Sequence, residues 1–98
     1  MYKVIILPAA KADINEAARW YNNKEKGVGR RFTFEVREKV NLIRENPKLM
    51  AVRYKHTRCA ILNTFPFMLH FSVDEKQKEI LISAVLHTSR DPDNWRQR

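Results

Sequence analysis

The apolar positions change period along the chain, and each change marks an element. Tyr2 to Leu7 is a short, apolar, β-branched run stopped by Pro8, which predicts an opening strand. From about Ala9 to Glu25, Ala10, Ile14, Ala17, Ala18 and Tyr21 recur at helical spacing, with Asp13, Glu16 and Lys24 elsewhere on the surface. Gly27 and Gly29 bracket a tight connection. A second helix follows from about Arg30 to Arg44, with Phe32, Val36, Val40 and Ile43 as its stripe, and Asn46-Pro47 ends it. Two helices joined this closely form an antiparallel hairpin.

The second half alternates. Val52 to Lys55 is short and basic, and Arg58 to Phe65 alternates imperfectly. Pro66 to Val73 alternates cleanly, placing Phe67, Leu69, Phe71 and Val73 on one face and Met68, His70 and Ser72 on the other. Asp74 to Lys78 is a charged turn. Glu79 to Leu86 carries Ile80, Ile82, Ala84 and Leu86 on one side, with Leu81 and Val85 on the other. A strand apolar on both faces belongs in the middle of a sheet. The order β-α-α-β-β-β-β is that of an α+β fold, a helical hairpin packed on a twisted, antiparallel-rich sheet. Residues 1–98 read as one domain.

Trp20 and Phe34 fall off their helical stripes. Such aromatics either pack on a neighbouring element or offer an exposed grip for a partner.

Charge sharpens this picture. Nineteen Lys and Arg stand against eleven acids, a net +8, and no acidic residue lies between Glu45 and Asp74. That field draws in polyanions such as nucleic acid or an acidic protein. No basic amphipathic helix with an apolar face is present, so a membrane is not an expected partner. The single cysteine, Cys59, excludes an internal disulfide and reads as a small core residue in a reducing compartment. The apolar run before Pro8 is too short for a signal peptide, and the expected location is the cytoplasm. No glycine-rich phosphate loop or HExxH motif occurs. His56, His70 and His87 are too scattered for zinc, so neither metal nor cofactor is expected.

A cationic set remains: Arg53, Lys55, His56 and Arg58 at one hairpin, and His87 and Arg90 at the end of the last strand, where "AVLHTSRDPDNW" turns abruptly from apolar to charged. Cations without carboxylates suit phosphate. RNA cleavage by 2′-OH attack needs a base, charge stabilisation at phosphorus and an acid for the leaving oxygen, which His, Lys and Arg can supply. The same set can bind phosphate or an acidic protein without chemistry. His70 reads as a surface or partly buried structural residue, and Asp91 as the cap of a short turn beginning at Pro92.

The segments "NPKLMAVRYKHTRCAILNTFPFMLHFSVDE" and "EILISAVLHTSRDPDNW" give the chain a resemblance to the RelE/ParE superfamily of type II toxin–antitoxin toxins. Arg58, Leu62, Phe65-Pro66-Phe67, Phe71-Ser72-Val73, His87, Arg90, Pro92 and Trp95 stand at the matching places. The resemblance implies a small basic bacterial toxin that inhibits growth and is neutralised by a cognate antitoxin. RelE-like members cleave mRNA on the ribosome, whereas ParE-like members poison DNA gyrase. Arg53, Lys55, Arg58 and Arg90 are similar to the nucleases' cations, and under that reading Arg58, His87 and Arg90 would be catalytic. The C-terminal Tyr of many nucleases is absent, and the indole of Trp95 cannot replace it as an acid or base. The "H..R.P..W" ending favours the ParE-like branch, also called plasmid-stabilisation proteins. Trp20, Phe34 and Trp95 are the candidate partner contacts. The expected target is DNA gyrase, with the ribosome and mRNA as the alternative and a non-toxic basic binding module as the third reading.

Overall fold

β-Branched and apolar residues before a helix-starting proline set the first strand, β1 (Lys3–Ile6), and α1 (Pro8–Lys24) begins at Pro8, where the missing N–H is not needed. The computed structural model describes residues 1–89. Helix α2 spans Val28–Glu45, and a single 3-10 turn, Pro47–Leu49, leads into β2 (Val52–Tyr54), β3 (Thr57–Ile61), β4 (Phe67–Asp74) and β5 (Glu79–His87).

The two helices approach closely because Gly29 lies against the Ala18 carbonyl, where no side chain fits. Gly27 makes the turn at φ 93°, a left-handed backbone that glycine adopts without strain. The Asn22 side-chain oxygen accepts from the Gly27 and Gly29 N–H groups at 2.9 and 3.3 Å, so α1 caps α2.

The sheet order is β1-β5-β4-β3-β2. Strands β2 to β5 form an antiparallel meander, and β1 joins β5 in parallel, with Val4 opposite Ile80 and Ile6 opposite Ile82. The central place expected for Glu79–Leu86 is therefore observed, flanked by β1 and β4. Phe32, Val36, Val40 and Ile43 of α2 bury against Leu69, Phe71, Ile80 and Ile82 of the sheet, the stripes the periodicity marked. Tyr21, Phe32, Phe65 and Phe67 pack ring on ring with centroids 4.8–6.1 Å apart at one end of this core.

Three expectations change. The face expected for Ile80, Ile82, Ala84 and Leu86 is split: Ile80, Ile82 and Val85 join the helical-side core while Ala84 and Leu86 lie on the other face, because the β4–β5 register shifts, with Phe71 opposite Ile82 and His70 opposite Ala84. Strand β3 stops at Ile61 rather than Phe65, because Leu62 to Pro66 forms the turn into β4: Leu62 N–H donates to the Phe67 carbonyl, and Phe67 N–H to that of Phe65. His70 is fully buried rather than at the surface or partly buried. The sheet face away from the helical core is itself covered, with Cys59, Met68, Ala84 and Leu86 buried there beside Tyr54.

Candidate functional site

The basic hairpin is built by the tight reversal between β2 and β3. Lys55 takes the left-handed conformation at φ 49° to make the turn, and Arg53, Lys55 and His56 are exposed at this edge of the sheet. Arg58 behaves differently. It lies opposite Val52 and Phe71, and Ala60 two residues on belongs to the helical-side core. Its guanidinium is half-buried and donates to the Met50 carbonyl at 2.5 Å. Arg58 thus fastens the 3-10 turn to the sheet and is not free at the surface.

Behind the hairpin, the Tyr54 hydroxyl is 2.9 Å from His70 Nδ1, and Cys59 Sγ lies 3.5 Å from the same nitrogen. Burial raises the Cys59 pKa above its ordinary value, and the nearby Arg53 charge offsets this only in part. The thiol stays protonated at neutral pH and is not a nucleophile. This group ties the edge strand that carries the cations to the middle of the sheet.

His87 closes β5. It is exposed, its Nδ1 accepts from Ser89 N–H at 3.1 Å and lies 2.7 Å from Ser89 Oγ, and its ring rests on Phe67 with centroids 5.3 Å apart. An accepting Nδ1 leaves the ring proton on Nε2. Arg58 lies level with Phe71 and Ile82, midway along β4, whereas His87 pairs with Phe67 at the start of β4. Four residues of β4 and two strand spacings separate them, roughly 13 Å along the sheet and about 10 Å across it. The structure does not bring His87 and the hairpin cations together around one phosphate. Arg90, Asp91, Pro92 and Trp95 lie outside the described residues.

Trp20 and Phe34 are both exposed, at 56% and 60%. Trp20 stands on α1 with its ring edge on Tyr21 at 5.1 Å and with Lys24 Nζ over it at 5.1 Å. It walls a groove of about 320 Å³ between α1 and the end of β5, which Asp13, Glu16, Tyr21 and His87 also line. Phe34 faces a different groove with Arg30, Arg31 and Phe65. Asp13 ties α1 to β5 at the first groove: its carboxylate accepts from Val85 N–H at 3.0 Å, beyond the point where β1 stops pairing with β5. Asp13 and Glu16 were not among the candidate site residues. Their spacing with Trp20, at i, i+3 and i+7 on one helix, is the signal that places all three together.

Near the Phe34 groove, Glu35 reaches across to the β3–β4 loop and accepts from Thr64 N–H at 2.6 Å. Burial raises its pKa, but the N–H groups of Thr64, Phe65 and Asn63 outweigh it and hold the carboxyl below its ordinary value. Among the described residues no cluster of His, Cys, Asp and Glu could hold a metal ion, and no helix is long and apolar enough to cross a membrane.

Residues 4–92 match a family model described as the ParE toxin of the type II toxin–antitoxin system parDE. Among solved structures, the chain is similar to one titled "Chromosomal ParDE TA system from P. aeruginosa". The TM-score is 0.77 at 21% identity, over 89% of this chain and 96% of that one. At that identity the likeness shows the fold. No curated protein matches the sequence.

Proposed function

The chain belongs to the ParE toxin family of type II toxin–antitoxin systems, and from that premise we propose that it halts growth by poisoning DNA gyrase while a cognate antitoxin holds it in check. It is the toxin component of such a pair. The family match across residues 4–92 carries the choice of gyrase over the ribosome.

The geometry supports a toxin that acts by binding. A nuclease needs a proton acceptor, a proton donor and cations within hydrogen-bond reach of one phosphate. Arg58 donates to the Met50 carbonyl, and His87 stands four residues along β4 and two strands away from it. The exposed Arg53, Lys55 and His56 instead form a basic edge on a +8 protein, suited to an enzyme that works on DNA. No bond is made or broken by the toxin in this reading; gyrase makes the break and is held in it.

Induction of the chain alone, then together with its antitoxin, tests the reading in cells. The expected outcome is growth arrest with a DNA-damage response while protein synthesis continues, relieved by the antitoxin. Loss of translation first, with mRNA cut inside codons, overturns gyrase as the target. Normal growth on induction overturns the toxin itself.

A further inference from the structure

The turn of the β2–β3 hairpin holds Lys55 in the left-handed conformation, at φ 49°, where glycine or asparagine is the easier residue. A lysine there sets a charge at the tip of the ribbon at a cost in backbone strain, and strain of that kind gathers at functional sites. Arg53, Lys55 and His56 are all exposed, on the outermost strand of the sheet and its turn. Neither salt bridge among the described residues involves them, since both go to Glu75, from Lys48 and from Lys78. The register of β3 on β4, with Arg58 opposite Phe71, brings the β4–β5 turn to the same end of the sheet. The acids of that turn are already engaged. Asp74 accepts from the Lys76 and Gln77 N–H groups at 3.0 and 3.1 Å, and Glu75 accepts from the Tyr2 hydroxyl besides its two lysines. The hairpin itself carries no carboxylate.

We propose that this hairpin lies on the phosphate backbone of duplex DNA. The choice of DNA rests on the gyrase reading, in which the toxin sits on an enzyme engaged with DNA, and adds that the chain itself touches that DNA. A two-stranded ribbon fits the major groove, and cations on its edge reach phosphate without reading sequence. Each phosphate neutralised releases condensed counterions, so the contact weakens steeply with salt.

The test titrates the purified full chain on to a labelled, mixed-sequence DNA duplex at several salt concentrations. The variants are Lys55→Gly, Arg53→Glu and the control Lys11→Gln, which removes an exposed charge from α1. Lys55→Gly should lower the slope of log affinity against log salt by about 1 while melting no lower than the native chain, because glycine accepts the positive φ. Arg53→Glu should weaken binding about tenfold or more, and Lys11→Gln should leave it within about twofold. A native chain that does not bind the duplex overturns the proposal and leaves the gyrase reading intact. Equal losses in Lys55→Gly and Lys11→Gln overturn it in favour of the diffuse +8 field. Unchanged DNA affinity in both hairpin variants, with affinity for the antitoxin reduced, overturns it and assigns the hairpin to an acidic protein segment. Duplex binding lost in the hairpin variants, by a native chain that leaves gyrase unaffected, upholds the contact and overturns the gyrase reading.

Discussion

Replacing Gly29 by Ala should loosen the helical hairpin, although alanine is the better helix former. The added Cβ would sit inside the van der Waals shell of the Ala18 carbonyl oxygen, 3.1 Å from its carbon and 3.2 Å from the Asn22 Cβ. The obstacle is backbone, so no rotamer change relieves it and the helices must separate. Overpacking of this kind costs about 1–3 kcal/mol. Separation also weakens the Asn22 cap, worth about 1 kcal/mol, which roughly cancels the propensity gain of about 1 kcal/mol. A net loss of about 1–3 kcal/mol lowers the melting temperature of a domain this size by roughly 5–20 °C. Thermal unfolding of the purified protein by circular dichroism reads it directly. Gly27→Ala is the control: it meets no atom within 4 Å and suffers only from its φ of 93°, so Tyr21 and Phe32 stay packed. The double variant Gly29→Ala/Ala18→Gly should be no more stable than the single one, because the Ala18 side chain is not the obstacle. A Gly29→Ala protein that melts at or above the native temperature refutes the close-contact reasoning.

Glu35 has a folded pKa below its unfolded one, so its contribution is present above about pH 4.5 and is lost as pH falls through the folded value. Urea midpoints from pH 7 down to 3 should therefore fall less steeply for Glu35→Gln than for the native chain; parallel curves would show that the carboxylate does not hold the 63–65 loop. Tyr54→Phe removes the hydroxyl beside His70 Nδ1 at 2.9 Å and should cost about 1–2 kcal/mol in urea unfolding, while a variant as stable as the native chain would contradict that bond.

Much of the fold was legible because burial on one face writes a period into the chain. Phe67, Leu69, Phe71 and Val73 at alternate positions, and Phe32, Val36, Val40 and Ile43 at helical ones, all lie in or against the helical-side core. Glu79 to Leu86, apolar on both sides, sits between β1 and β4. The partner of β1 was not legible, since a parallel pairing of the first strand with the last depends on contacts seventy-odd positions apart. His70 was misplaced because alternation shows only that its face is less apolar, whereas Cys59, Met68, Ala84 and Leu86 make that face a second buried layer.

The candidate site was legible in composition but not in geometry. The acid-free stretch falls on the β2–β3 hairpin, where Arg53, Lys55 and His56 are exposed. Sequence cannot tell that Arg58 turns to the Met50 carbonyl, because the direction depends on which face of β3 meets the 3-10 turn. Nor does it show that His87 lies far from that hairpin, which follows from the β4 register. Trp20 and Phe34 left their helical stripes for exposed positions in two separate grooves, one beside Asp13 and Glu16 and one beside Arg30, Arg31, Glu35 and Glu38.

Incubating the purified chain with DNA gyrase, ATP and negatively supercoiled plasmid, then adding detergent and protease, interrogates the target itself. Linear DNA should accumulate with toxin dose and fail to appear when the antitoxin is added first. Plasmid topology unchanged at concentrations that arrest growth would contradict gyrase poisoning.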